Sequence, residues 1–233
     1  LFYIIGAFLI IAVNFRRIPD AFAQIFTGAF SPQALAGGAM GITVQKAIRF
    51  GVARGLFSNE AGMGSTPHAH AVAKVKNPCD QGVVAMMGVF IDTFVILTLT
   101  ALVVLVTGVL PRGYAGELQG VDLTQAGFET MFGRGGTVFI AVCMLFFAFS
   151  TIIGWYFFGE QNIKYLFGTK GTTPYRLIVM GFIVLGSVLQ VYLVWELADM
   201  FNGLMVLPNL IALIGLSKIV SMALRDYDAN NPR

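Results

Sequence analysis

FGVARGLFSNEAGMGS, Phe50 to Ser65, sets glycines beside Arg54, Asn59 and Glu60 in a chain whose other long segments are apolar enough to cross a membrane. A bilayer core offers no water to unpaired backbone groups or charges. Glycine-broken, charged backbone at that depth must be buried in protein or line a cavity. This stretch is therefore the first candidate for a site.

That reading rests on the membrane assignment. The chain is 57% hydrophobic and only 12% charged, with a mean hydropathy of +0.78, against about 25% charged residues in ordinary soluble domains. Leu1 to Val13 is an apolar run. Val83 to Val106 has one charge, Asp92; Gly136 to Phe158 and Leu177 to Val194 have none; Met200 to Leu224 has only Lys218. Each of these four reaches or approaches the roughly 20 residues that span the hydrocarbon as a helix. Burying them in a water-soluble core would take a far larger protein than 233 residues. The expected class is an all-α, polytopic helix bundle, integral to the cell membrane, with the lipid bilayer as a partner and no nucleic acid.

Leu1 falls inside an apolar run, with neither an initiator Met nor a charged n-region and cleavage site, so no signal peptide is expected. The chain reads as the C-terminal part of a longer polytopic protein. Cys79 and Cys143 have no CxxC or His spacing around them, and neither a disulfide framework nor a zinc site is expected. His68 and His70 are two residues apart, which on a helix points them about 200° from each other; they read as polar positions near a helix end.

Outward from the central stretch, Asn14 to Asp20 is a polar break and Ala21 to Phe30 a short helix. Ser31 and Pro32 restart the chain as N-cap and first helical residue. Gln33 to Arg54 is expected as a small-residue-rich helix, and Glu60 to Lys74 as a second half-helix of the same crossing. Val83 to Gly108 is the clearest single span. After a polar connection with a short helix from Leu123 to Phe132, Gly136 to Phe167 crosses back and projects beyond the membrane. GTKGTTPY, Gly168 to Tyr175, is a turn. Leu177 to Val194 and Leu197 to Leu224 complete the set, the last with a kink expected at Pro208. Lys74, Lys76, Lys164, Lys170, Arg176, Arg225 and Arg233 fall on one side, which favours a cytoplasmic C-terminus.

RGLFSNEAGMGS (Arg54 to Ser65), GVFIDT (Gly88 to Thr93), FSTIIGWYFFGE (Phe149 to Glu160) and NGLMVLPNLIAL (Asn202 to Leu213) together resemble the sodium:alanine symporter family, the alanine or glycine:cation symporters. The resemblance runs over essentially the whole chain in order. It implies a leucine-transporter-type fold of two inverted five-helix repeats with broken helices at the substrate. This chain would be a single transmembrane domain fragment, residues 1–233, from the end of core helix 5 through helix 10. The N-terminal half, with core helix 1, would be a needed partner that is absent. The implied activity is sodium-coupled symport of a small neutral amino acid, alanine or glycine, by alternating access, with sodium as coupling ion and no cofactor.

The residues fit such a site. Half-helix ends at the midplane present unpaired N–H and C=O groups to a small zwitterion. A break within Gly55 to Gly62 supplies such ends; Phe57 would wall the substrate pocket, with Ser58 and Asn59 as polar contacts. Arg54 and Glu60, six apart, either face each other or take separate partners, as a structural ion pair or as ligand contacts. Asp92, inside a span, is either a functional carboxylate or the neutralising partner of a base such as Arg54.

Phe147, Ser150 and Thr151 share one helix face, so the Phe147 carbonyl and the two hydroxyls can surround a hard monovalent cation. The resemblance places a sodium site at this helix 8 position. The plainer alternative is that both hydroxyls bond back to their own helix. Trp155, one turn beyond Thr151, would close the pocket against side chains larger than alanine or glycine; its other reading is an interfacial anchor. Glu160, Asn202, Pro208 and Asn209 read as packing or gating residues. An integral-membrane enzyme or a non-transporting scaffold built on Arg54, Glu60 and Asp92 is the alternative class. HExxH, GxSxG and nucleotide-loop signatures are all missing from the sequence, so an enzyme would have no visible carrier for its chemistry. An open channel is a third, weaker alternative.

Overall fold

The computed structural model describes residues 1–30, 40–114, 116–118 and 120–230. The expected restart at Ser31 and Pro32, the first part of the helix expected from Gln33, and Arg233 lie outside them. Among the described residues the regular structure is entirely helical.

In chain order the α-helices are α1 (Phe2–Val13), α2 (Ile18–Phe30), α3 (Met40–Asn59), α4 (Pro67–His70), α5 (Pro78–Phe90), α6 (Leu97–Thr107), α7 (Leu110–Tyr114), α8 (Val121–Phe132), α9 (Arg134–Phe167), α10 (Thr172–Val188) and α11 (Val191–Asn230). A π-helical segment, Ile91–Ile96, joins α5 to α6. Among the described residues, four continuous stretches are long and apolar enough to cross a membrane: Pro78–Thr107, Arg134–Phe167, Thr169–Val188 and Val191–Asn230. The α1 and α2 region, bent by 79°, adds a fifth if counted as one broken span. At 1.5 Å per residue, α9 with its 34 residues extends well past the roughly 30 Å hydrocarbon core, as its sequence predicts.

The boundaries differ from expectation in three places. The turn expected at Gly168 to Tyr175 is already helical from Thr172, because Pro174 sits in the first turn, where its missing N–H costs nothing. The last two helices part at Leu189, extended with ψ 154°, and not after Val194. Last, α11 runs from Val191 to Asn230, beyond the expected Leu197 to Leu224, with Pro208 inside it as expected.

The chain divides into two compact units, Leu1–Phe50 with Ile91–Ser150, and Gly51–Phe90 with Thr151–Arg233. Unit 1 is built on side-chain packing. Tyr3, Ala7, Ile10 and Ile11 of α1 interdigitate with Leu102, Val103 and Val106 of α6, Phe128 of α8 and Ile140 of α9. Phe128 is fully buried, its ring stacked 5.8 Å from Tyr3 and 5.6 Å from Phe139. Small residues permit this closeness: a Cβ on Gly6 would lie 2.9 Å from the Phe128 ring, and one on Gly136 would strike the Phe128 carbonyl. Two polar contacts lock the register. Tyr3 and Thr100 share a hydroxyl hydrogen bond of 2.6 Å, and Arg17 donates to the Val106 carbonyl at 3.0 Å. That carbonyl lies in the last turn of α6, where a cation suits the negative helix end.

Unit 2 is tied by polar contacts between segments. Tyr227 of α11 donates to Asp80 at the start of α5 at 3.0 Å, and Gln81 meets His70 at 2.7 Å. Tyr156 and Tyr175 stack at 5.5 Å, linking α9 to α10.

Candidate functional site

The interruption lies where the glycines predict it, but later than expected. Helix α3 continues through Gly55, Phe57, Ser58 and Asn59, and the backbone turns only at Glu60, whose φ of 55° is left-handed. Gly62 and Gly64, both at φ 86°, continue the irregular path to α4. A left-handed residue ends a helix because its successors no longer align with the i−4 carbonyls. Such a φ is uncommon for a glutamate. Local bonds hold it: the Glu60 N–H donates to Leu56 at 2.9 Å, and its carboxylate accepts from the Ser65 hydroxyl at 2.5 Å. Ser65 and Met63 are buried under this turn.

Asn59 takes part in the ending as well. Its Oδ1 accepts from the Ala61 N–H at 2.9 Å, an Asx-type turn. The expected second half-helix, Glu60 to Lys74, is reduced to the four residues of α4. So short a helix has almost no macrodipole, and the ordered dipole beside the interruption is the carbonyl end of α3.

Arg54 and Glu60 take separate partners. Arg54 Nη1 donates to Asp199 Oδ1 at 2.8 Å, and its guanidinium lies 4.0 Å over the ring of Trp195. Asp199 is the partner that the sequence reading sought in Asp92 for Arg54; Asp92 lies in the π-helical segment of unit 1. Farther along α11, Asn209 Nδ2 donates to the Gly62 carbonyl at 2.8 Å. A Cβ on Gly64 would sit 3.0 Å from that asparagine side chain, so Gly64 serves both the positive φ and the close approach. His68 contacts the Ser65 carbonyl through Nδ1 at 2.8 Å and Asn162 of α9 through Nε2 at 3.2 Å. The turn is thus held from α9 and from α11.

Of the residues expected at a substrate site, Phe57, Ser58 and Asn59 form the last turn of α3, beside the interruption and not within it. Phe57 packs edge-to-face on Trp195 with centroids 5.2 Å apart. Trp155, on α9 in the same unit, is half-buried, and its ring partner is Phe158 at 6.0 Å. Of the expected ion ligands, Phe147 and Ser150 belong to unit 1 and are already in contact: the Ser150 hydroxyl donates to the Phe147 carbonyl at 3.0 Å, the back-bonded form. Thr151 follows on the same helix, exposed. A cleft of about 460 Å³ in unit 1, lined by Phe2, Ile5, Leu9, Phe132 and Phe139, is apolar and offers a zwitterion no partner.

Trp195 and Asp199 are the residues that sequence reasoning missed. Their spacing of four, Trp195 then Asp199, puts ring and carboxylate on one helix face. That pairing is the signal for an arginine partner, and Arg54 is the arginine it fits.

Fold and interruption together define a polytopic helical membrane protein with a glycine-rich discontinuity in the bundle. The chain belongs to the sodium:alanine symporter family, whose model matches residues 1–233, and is an integral protein of the plasma membrane. It is 41% identical over 94% of its length to the sodium/alanine symporter AgcS of Methanococcus maripaludis, covering 47% of that protein. It is 43% identical over 97% of its length to the probable sodium/glutamine symporter GlnT of Bacillus subtilis, covering 46%. Against the sodium/proton-dependent alanine carrier protein of Bacillus sp. strain PS3 it is 36% identical over 97% of its length, covering 53%. The chain spans about half the length of the curated relatives it matches.

Proposed function

We propose that this chain is the C-terminal half of a secondary transporter of the leucine-transporter-type inverted-repeat fold, one that couples sodium entry to uptake of alanine or a similarly small neutral amino acid by alternating access. The observation that carries the reading is the interruption at Glu60 to Ser65, where the carbonyl end of α3 meets irregular backbone held from two other helices. A helix C-terminus attracts a substrate ammonium, and irregular backbone at membrane depth is tolerated only where it is packed in protein or lines a cavity.

In this reading Phe57 walls the substrate pocket, Ser58 and Asn59 give it polar contacts, and Trp155 limits the side chain it accepts. The Phe147 carbonyl with the Ser150 and Thr151 hydroxyls ligates sodium, the ion taking the place of the Ser150-to-Phe147 hydrogen bond while the hydroxyl keeps its proton. Neutral oxygens suit a hard, weakly held cation. The missing carboxylate-facing half of the site belongs to the N-terminal half of the protein.

Radiolabelled uptake into proteoliposomes by the full-length transporter tests this. Alanine should accumulate with an inward sodium gradient and not without one, and glycine should compete while glutamine competes poorly. Equal uptake with and without the gradient would reject the coupling.

A further inference from the structure

We propose that Trp195 is a positioning residue of the substrate site, fixing the ring of Phe57 through a relay that begins at Asp199. The proposal rests on the reading above, in which Phe57 forms part of the pocket wall.

Four side chains in unit 2 form one connected stack. Asp199 holds Arg54 through a 2.8 Å charged hydrogen bond, and Asp199 is the more buried partner, its side chain 13% exposed against 37% for Arg54. That bond anchors one end of the guanidinium. Its Cζ lies 4.0 Å from the Trp195 ring centroid, inside the range of a cation–π contact. Trp195 in turn presents its ring to Phe57 at 5.2 Å with the planes 68° apart, the edge-to-face geometry that ring quadrupoles favour. Arg54 and Phe57 are three apart on α3, and Trp195 and Asp199 four apart on α11. Each helix therefore contributes one charged and one aromatic side chain from a single face.

The order of the stack has a consequence. Phe57 sits in the last turn of α3, three residues before the left-handed Glu60. Beyond that turn no regular helix backs its ring, so the neighbouring rotamer is set by what it packs against. Trp195 supplies that packing. Trp195 is itself 37% exposed, and the guanidinium over its ring is what holds it in place. Removing Trp195 frees Phe57 to leave the wall; removing the Asp199 charge loosens the same ring one step back.

The test is a double-mutant cycle in the full-length transporter, reading the KM for alanine, the maximal rate and the sodium half-saturation. Trp195→Ala should raise the KM for alanine about tenfold with the maximal rate and sodium half-saturation near unchanged. Asp199→Asn should raise it about threefold, and Trp195→Phe should restore most of the loss. Because Trp195 acts through Phe57, Phe57→Ala with Trp195→Ala should be no worse than Phe57→Ala alone. Additive effects, or a Trp195→Ala protein with unchanged KM, would overturn the positioning role while leaving the functional reading intact. If Phe57→Ala itself leaves the KM unchanged, the wall assignment falls and this proposal with it. Should Trp195→Ala fail to insert, Asp199→Asn decides: an unchanged KM in that variant overturns the relay.

Discussion

In unit 1 the buried side chains form a continuous apolar group, with Phe128 fully enclosed between α1 and the start of α9. In unit 2, among the described residues, only Met63 and Ser65 are buried, and the segments are joined by single polar ties: Arg54 to Asp199, Asn209 to Gly62, His68 to Asn162. Close packing is cooperative and resists change, because losing one group affects all its neighbours. Single polar ties are separable, and each can be exchanged for a bond to water, substrate or ion at small net cost. A segment that must change partners during a transport cycle is better built in the second way. The proposed substrate residues Phe57, Ser58, Asn59 and Trp155 all lie in unit 2.

The sharpest way to break this contrast is Phe128→Ala. It removes the ring stacked on both Tyr3 and Phe139 and should cost about 3–5 kcal/mol, read as a large drop in melting temperature of the full-length protein in detergent. The surviving folded fraction should keep its sodium dependence. A loss under about 1 kcal/mol would mean that unit 1 is not held by this core. In unit 2 the largest single effect should come from Gly64→Ala, which forces a Cβ onto a φ of 86° and to within 3.0 Å of Asn209. We expect about 1–3 kcal/mol and reduced uptake. Asn209→Ala alone should cost about 1 kcal/mol, the net worth of one neutral hydrogen bond to the Gly62 carbonyl. Combined with Gly64→Ala it should relieve the crowding but not the backbone strain. A double variant as stable as Asn209→Ala alone would show that φ at Gly64 is unimportant.

The sequence carried the spans well because their signal is additive. Gly136 to Phe158 has no charge, and α9 follows from that alone. The interruption was legible as a region, since Gly62 and Gly64 have few uses in a bundle other than a positive φ or a close approach, and both have the first. Its start was not legible. Glu60 is a good helix former, and its left-handed turn depends on Ser65 accepting the role of partner, a tertiary fact. The π-helical segment at Ile91–Ile96 was invisible for the same reason: IDTFVI has no local mark that distinguishes a wide turn from an α-helical one. Arg54 was seen to need a partner, but sequence separation hid which. Asp199 lies 145 residues away, and only its spacing from Trp195 hinted at the arginine.

Two smaller effects sharpen the comparison from the functional side. Thr151→Ala removes one hydroxyl of the proposed ion site on a helix that otherwise stays intact, and it should raise the sodium half-saturation by about tenfold, the equivalent of one weak ligand, with little change in melting temperature. Unchanged sodium dependence in that variant would move the ion away from α9.

At the bottom of the scale stands Glu117→Gln. Its carboxylate meets Arg112 Nε at 3.3 Å, but the two side chains are 59% and 55% exposed. Water competes for both charges, salt screens them, and two long side chains must be immobilised to meet, so the pair contributes less than about 0.5 kcal/mol. No change in melting temperature or uptake is therefore expected. Arg54 and Asp199 are separated by 2.8 Å with Asp199 mostly enclosed and an aromatic face beneath the guanidinium. The two ion pairs join the same kinds of charged group, and the closer approach, the burial of Asp199 and the aromatic face separate them. If Glu117→Gln lowered uptake as much as Asp199→Asn, charge at any position would matter equally, and the special standing of the ties around the interruption would be lost.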